Sequence, residues 1–166
     1  MTVVISDMPI LLDLEHSQMM VKVLDLPIDF AVCDALYETE IQGSVQEILL
    51  GQRLRIETLN EDELLHATAL RRSCCSISVS DSFALALGER RGWPLLVGGR
   101  HLHAEGRKRG IECRDLPWLI GELKWNGTAA AHLLAMLERL ASRCRCALPR
   151  GELDRLRATI GGSRSD

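Results

Sequence analysis

The feature that most constrains this chain is the run Ile77-Ser78-Val79-Ser80-Asp81-Ser82-Phe83-Ala84-Leu85-Ala86-Leu87, followed by Pro94-Leu95-Leu96-Val97-Gly98-Gly99-Arg100. Ser78 stands as a helix N-cap, and Asp81 three residues on completes a capping-box spacing ahead of an apolar run. Leu95-Leu96-Val97 then reads as a short buried strand that ends in a Gly-Gly turn. A helix that hands over to a buried strand is one unit of an α/β sheet. In such sheets ligands gather outside the carboxyl ends of the strands. Asp81 at the helix start and the Gly98-Gly99 turn are therefore the first two pieces of a candidate site.

The same alternation runs along the chain. Val3-Val4-Ile5 is a short β-branched run that gives way to Ser6-Asp7, and Pro9 suits the first turn of a helix over Ile10 to about Leu14. A helical stretch from Met19 to Leu24 leads through Pro27 to a second strand, Phe30 to Cys33. Asp34 reads as the N-cap of a helix from Ala35 to about Leu50, whose apolar positions Ile41, Val45, Ile48 and Leu49 share one face. Leu54 to Leu59 alternates as a half-exposed strand does, and Asn60 with Glu63 repeats the capping-box spacing for a helix to about Cys74. Gly110 to Cys113 is a fifth short strand, followed by a helix over Leu116 to Leu123.

Asn126-Gly127 breaks that helix and Thr128 caps the next, which carries Ala130, Leu133, Leu134, Leu137 and Leu140 on one face. Leu148-Pro149 is a second break, before a final amphipathic helix marked by Leu153, Leu156 and Ile160. Strands alternate with helices to about residue 115 and helices alone follow. That order predicts a three-layer α/β/α fold with a central parallel sheet and a helical C-terminal extension. Residues 1–120 form the α/β part, 121–160 pack on it as part of the same domain, and 161–166 are a tail.

At 166 residues the chain is long enough for one domain with a real core, and its net charge of −3 gives no global sign of nucleic-acid binding. No apolar run reaches membrane-spanning length and no basic region precedes the first apolar residues, so we expect a cytoplasmic protein with no membrane partner. Cys33, Cys74, Cys75, Cys113, Cys144 and Cys146 lack zinc-knuckle spacing and read as buried small hydrophobes. The three tryptophans, Trp93, Trp118 and Trp125, read as core or interface.

Three acids occupy comparable places. Asp7 closes strand one, Asp81 opens the helix before strand four, and Glu38 lies three residues before Ile41, on the apolar side of its helix. Glu40, two residues from Glu38, is turned away from it by about 160°. Like charges about 4 Å apart repel by ~4 kcal/mol at an effective dielectric of 20, so a convergent cluster needs a proton or a cation. Hard oxygen donors point to Mg²⁺ or Mn²⁺, ions that activate water and stabilise a phosphoryl transition state.

Val3-Val4-Ile5-Ser6-Asp7, Ala35-Leu36-Tyr37-Glu38, Ile77-Ser78-Val79-Ser80-Asp81-Ser82 and Leu95-Leu96-Val97-Gly98-Gly99-Arg100-His101-Leu102, in this order, together resemble a PIN domain over residues 1 to about 120. The helices ending near Leu148-Pro149-Arg150-Gly151-Glu152-Leu153 resemble those of a bacterial and archaeal PIN subgroup. The resemblance implies a Mg²⁺- or Mn²⁺-dependent nuclease acting on RNA, toxin-like in many relatives. An antitoxin protein and a second copy of the chain are further partners that it leaves open. It carries the family's first acid onto Asp7, the second onto Glu38 (with Glu40 as the alternative) and the third onto Asp81, as catalytic residues and metal ligands.

The family's fourth acid sits in a Thr-Gly-Asp turn after strand four. Here the turn is Val97-Gly98-Gly99, so Gly99 stands where an aspartate is expected. Asp115, His101 and Glu105 are the nearby groups that could stand in. Beside this turn, Arg100, Arg107, Lys108 and Arg109 form a basic stretch, with His101 and His103 among them, suited to a phosphate backbone. The alternative function is a PIN-like module that has lost catalysis and binds RNA or protein.

Overall fold

The computed structural model describes residues 2–5, 7–50, 54–74, 76–142 and 150–161. Its strands are β1 (Thr2–Ile5), β2 (Asp29–Cys33), β3 (Leu54–Glu57), β4 (Leu95–Leu96) and β5 (Cys113–Arg114). Between them run α1 (Met8–His16), α2 (Met20–Leu24), α3 (Asp34–Thr39), α4 (Ser44–Leu50), α5 (Glu61–Ser73), α6 (Val79–Arg91) and α7 (Arg100–Lys108). Helices α8 (Leu116–Trp125), α9 (Ala130–Ala141) and α10 (Arg150–Gly161) follow β5. The strands pair in the order β3-β2-β1-β4-β5, every pair parallel. The protein is thus α/β with a five-stranded parallel sheet, consistent with three layers.

Burial explains the arrangement. Val3, Val4, Ile5, Ala31, Val32, Leu95 and Leu96 are all fully buried, as strands covered on both faces require. The chain steps from β1 to β2 to β3 in one direction, then crosses back through α5 and α6 to β4 on the other side of β1. With the right-handed crossovers that parallel units adopt, this reversal is what sends α1 to α4 and α5 to α7 to opposite faces. The capping boxes form where the spacing predicts them. Asn60 with Glu63 opens α5 and Ser78 with Asp81 opens α6.

Helices α8 and α9 lie against α2 and α1. Arg139 Nη1 of α9 donates to the Ser17 carbonyl after α1 at 3.1 Å, and Lys124 Nζ of α8 donates to the Thr159 carbonyl of α10 at 2.7 Å. Leu133, Met136, Leu137 and Leu140 line the buried face of α9, while Ala130 is exposed. Ala129, not Thr128, holds the N-cap position of α9, without a side-chain bond. Trp93 lies under Arg91 and Arg55, Trp118 lies under Arg114, and Trp125 is 77% exposed. The expected break at Leu148-Pro149 and the tail at 162–166 lie outside the described residues, as do Cys75, Cys144 and Cys146. Among the described residues no helix is long and apolar enough to cross a membrane.

One expected element divides. The helix foreseen over 35–50 is two helices, α3 and α4, separated by Glu40 to Gly43. Gly43 sits at φ +63°, a left-handed conformation that glycine adopts without a Cβ penalty. Asp34 is the first residue of α3 and not its cap, a place taken by Cys33. The break resets the helical phase between Glu38 and Ile41.

Candidate functional site

The order β3-β2-β1-β4-β5 reverses direction between β1 and β4, and this switch point is where an open α/β sheet leaves a crevice at its carboxyl edge. Asp7 follows β1 there and caps α1, accepting the Ile10 N–H at 3.2 Å. Across the seam, Gly98 and Gly99 follow β4. Their N–H groups donate to the same carboxylate, Gly98 at 3.0 Å and Gly99 at 3.2 Å, both to Oδ2. Asp7 therefore joins two helix starts, those of α1 and α7, across the two central strands.

Gly98 is the residue that permits this approach. A Cβ there would lie 3.1 Å from Asp7 Oδ1 and 3.3 Å from the Ile10 nitrogen, tighter than ordinary contact. At Gly99 a Cβ would lie 3.7 Å from Asp7 Oδ2, an ordinary contact, and its backbone is extended at φ −93°. Position 99 is the N-cap of α7, faces Asp7 and can carry a side chain.

Burial pushes the Asp7 carboxyl above the usual aspartate range; the three N–H donors pull it down in part, and the charge of Asp81 adds to the upward push. Asp81 thus lies within electrostatic reach of Asp7. Its Oδ2 accepts the Ser78 N–H at 2.8 Å and its own N–H donates to Ser78 Oγ at 3.0 Å. The capping box uses one carboxylate oxygen and leaves Oδ1 outside it.

Glu38 does not face inward. It is exposed on α3, because the helix that was to turn it toward Ile41 ends at Thr39. Glu40, the C-cap of α3, accepts a hydrogen bond at Oε1 from Ser80 Oγ, one residue before Asp81. Glu40 is exposed and joins the end of α3 to the start of α6 through this bond.

The basic stretch also divides. Helix α7 begins at the carboxyl end of β4 and runs back toward β5, so Arg100 and Arg107 stand about 10 Å apart along its axis. Arg100 is exposed beside Gly99. Arg107, Lys108 and Arg109 lie at the far end, away from Asp7, and not beside the acidic site as their closeness in sequence suggested. Lys108 Nζ donates to Glu105 Oε1 at 2.6 Å and Arg109 Nη1 to Glu105 Oε2 at 2.5 Å, and Arg109 Nε also lies 3.6 Å from Glu89 Oε1. Two of the three cations are therefore engaged with acids of their own chain.

Of the stand-ins for a fourth acid, Asp115 caps α8 by accepting the Trp118 N–H at 3.1 Å. His101 and Glu105 face a different neighbour, Cys74. One donor atom from each of these three lies within 4.8 Å of the others, the only such group of three found among the described residues. Sequence spacing gave no sign of it, because Cys74 ends α5 while the other two lie on α7. Comparison with protein-family models, with curated proteins and with solved structures gave no match to this chain.

Proposed function

We propose that this chain is a metal-dependent endoribonuclease of PIN type, toxin-like in its biology and cytoplasmic, hydrolysing RNA phosphodiester bonds. The observation that carries the reading is Asp7, held by three N–H groups at the switch point of the parallel sheet, with Asp81 at the start of α6 as the second acid. The donor set fits Mg²⁺ or Mn²⁺ in kind. Two hard carboxylates whose charges oppose each other are relieved by a cation between them, and Mg²⁺ commonly takes one or two carboxylates with water and substrate phosphate in the remaining positions. Such an ion, when bound, supplies Lewis-acid stabilisation of the phosphoryl oxygens and a water of lowered pKa.

The chain's own residues set the stage for this. Asp7 is held rigid by three N–H groups, and Asp81 by its capping box. Glu40, on Ser80, supplies the third acid at the rim in place of Glu38. Arg100, exposed at the first turn of α7, is placed to meet a phosphate of the strand being cut. The free thiols of Cys33, Cys74 and Cys113 suit a reducing compartment. An antitoxin protein and a second copy of the chain are the protein partners that belong with this reading.

Purified protein incubated with single-stranded RNA and Mg²⁺ or Mn²⁺ is expected to cleave it, and Asp7→Asn and Asp81→Asn each to lower the rate by ~100-fold or more. Cleavage that survives both substitutions would belong to a contaminant and overturn the assignment. A separate measurement addresses the RNA surface. Arg100→Ala is expected to flatten the dependence of log K on log salt by about 0.7, one single-strand phosphate, while Lys108→Ala leaves the slope unchanged. The opposite pattern would move the RNA path to the far end of α7.

Gly99 favours a second reading. With a glycine where the family carries an acid, the crevice lacks one carboxylate, and the chain would bind RNA or protein without cutting. RNA binding with no cleavage under either metal selects that reading.

A further inference from the structure

We propose that Cys74, His101 and Glu105 form a binding site for a transition-metal ion of the zinc type, distinct from the Asp7–Asp81 pair. The site is built by two elements. Cys74 is the C-cap residue of α5, and His101 and Glu105 lie four residues apart on α7, so both side chains share one helix face. Sγ of Cys74, a ring nitrogen of His101 and a carboxylate oxygen of Glu105 lie within 4.8 Å of one another. Ser76 ties the two elements together where they meet: its Oγ lies 3.3 Å from Cys74 Sγ and 2.7 Å from His101 Nε2.

The donor set selects the ion. A thiolate, an imidazole and a carboxylate are the ligands of Zn²⁺, whereas Mg²⁺ and Mn²⁺ prefer oxygen alone. Three protein ligands leave a fourth tetrahedral position for water or another donor. Cys74 is a free, half-buried thiol, which gives its proton to solvent as sulfur binds the ion. Glu105 pairs with Lys108 Nζ at 2.6 Å and with Arg109 Nη1 at 2.5 Å. Each of its oxygens takes one of these cations and keeps further lone-pair capacity for a metal. Lys108 and Arg109 act on Glu105 as the outer partners of a metal ligand do, fixing its orientation.

The test is a zinc titration of the full chain against a chromophoric chelator, with Co²⁺ absorption as a second readout. The expected result is one Zn²⁺ per chain, with affinity ~100-fold or more weaker in Cys74→Ser and in His101→Gln, beyond the 10–100-fold typical of an outer-shell partner. Co²⁺ should give a thiolate charge-transfer band that Cys74→Ser abolishes. Circular dichroism checks that each variant is folded, and Cys74→Ala repeats the test with a different side chain. Cys75→Ser should leave the affinity near that of the parent. Loss in Cys75→Ser with no loss in Cys74→Ser would overturn the choice of sulfur, and unchanged affinity in both Cys74→Ser and His101→Gln would overturn the site. Asp7→Asn and Asp81→Asn should leave the Co²⁺ thiolate band and the Cys74- and His101-dependent Zn²⁺ binding unchanged, so the outcome is separable from that of the nuclease reading.

Discussion

Asp7→Ala is expected to destabilise the fold by about 3 kcal/mol or more, seen as a fall in melting temperature of roughly 6–12 °C at 2–4 °C per kcal/mol for a domain of this size. The reason is the count of donors that one carboxylate satisfies. Removing it leaves the N–H groups of Ile10, Gly98 and Gly99 without their acceptor at the seam between β1 and β4, and each buried unsatisfied donor costs about 1–3 kcal/mol. Asp7→Asn behaves differently. Its amide keeps one acceptor and removes a charge that burial disfavours, but its NH2 replaces the other acceptor opposite an N–H, so its stability should fall between those of the parent and Asp7→Ala.

The two proteins should also diverge with pH. The folded-state pKa of Asp7 is raised, so its acid form contributes stability that is fully present below the unfolded value of ~3.9. That contribution is lost as pH rises through the raised folded value. The parent should therefore lose stability relative to Asp7→Asn over that rise, in metal-free buffer. Chemical denaturation at several pH values measures it. An Asp7→Ala protein as stable as the parent would mean that Asp7 does not hold the seam.

The second large effect is expected at position 99. Gly99→Asn should stabilise the protein by about 0.5–1.5 kcal/mol, because it gives α7 a capping side chain and restricts the unfolded chain at an extended φ of −93°. Gly99→Asp supplies the same cap and adds a negative charge whose Cβ starts 3.7 Å from Asp7 Oδ2. Repulsion of up to ~4 kcal/mol at 4 Å then offsets the cap in metal-free protein. Added Mg²⁺ or Mn²⁺ should raise the melting temperature of Gly99→Asp more than that of Gly99→Asn, since an ion that binds the folded state stabilises it by mass action. Equal responses in the two variants would mean that position 99 does not face a cation site. A gain of RNA cleavage in Gly99→Asp alone would assign the parent to the second, binding-only reading.

Much of this architecture is legible locally. Both capping boxes, Asn60 with Glu63 and Ser78 with Asp81, form from residues three apart, and a local rule suffices to find them. Asp7 at the end of β1 and the turn after β4 follow from short β-branched or leucine runs that end in polar or glycine residues. What failed was phase carried over distance. Ile41, Val45, Ile48 and Leu49 keep a helical spacing through the break at Gly43, so periodicity joined α3 to α4 and turned Glu38 inward. Glu40 owes its place to Ser80, 40 residues away, and no local pattern carries that.

The basic stretch shows the same limit. Its charges are contiguous in sequence, but a helix running away from the site separates Arg100 from Arg107, and Glu105 and Glu89 claim Arg109. The cysteines were read from their spacing to one another, and that spacing held no metal motif. Cys33 is buried as expected, with its thiol pushed up to about 11 by burial first, while Cys74, just after α5, meets His101 and Glu105 of α7 only through the tertiary fold.

The central place of β1 has a consequence for the order in which the molecule is made. On one side β1 pairs with β2, a near neighbour in sequence, while on the other Val4 pairs with Leu95. As the chain leaves the ribosome, β1, β2 and β3 can zip together once residue 57 has emerged, well before β4 exists. Until then the second edge of β1 is an open row of N–H and C=O groups, ready to take a foreign strand. Asp7 waits beside that edge for two N–H groups 91 and 92 residues away. The seam at which the proposed chemistry takes place thus closes only after β4 has emerged, and a nascent chain stalled short of Leu95 has three of the five strands, an unguarded edge and no assembled site.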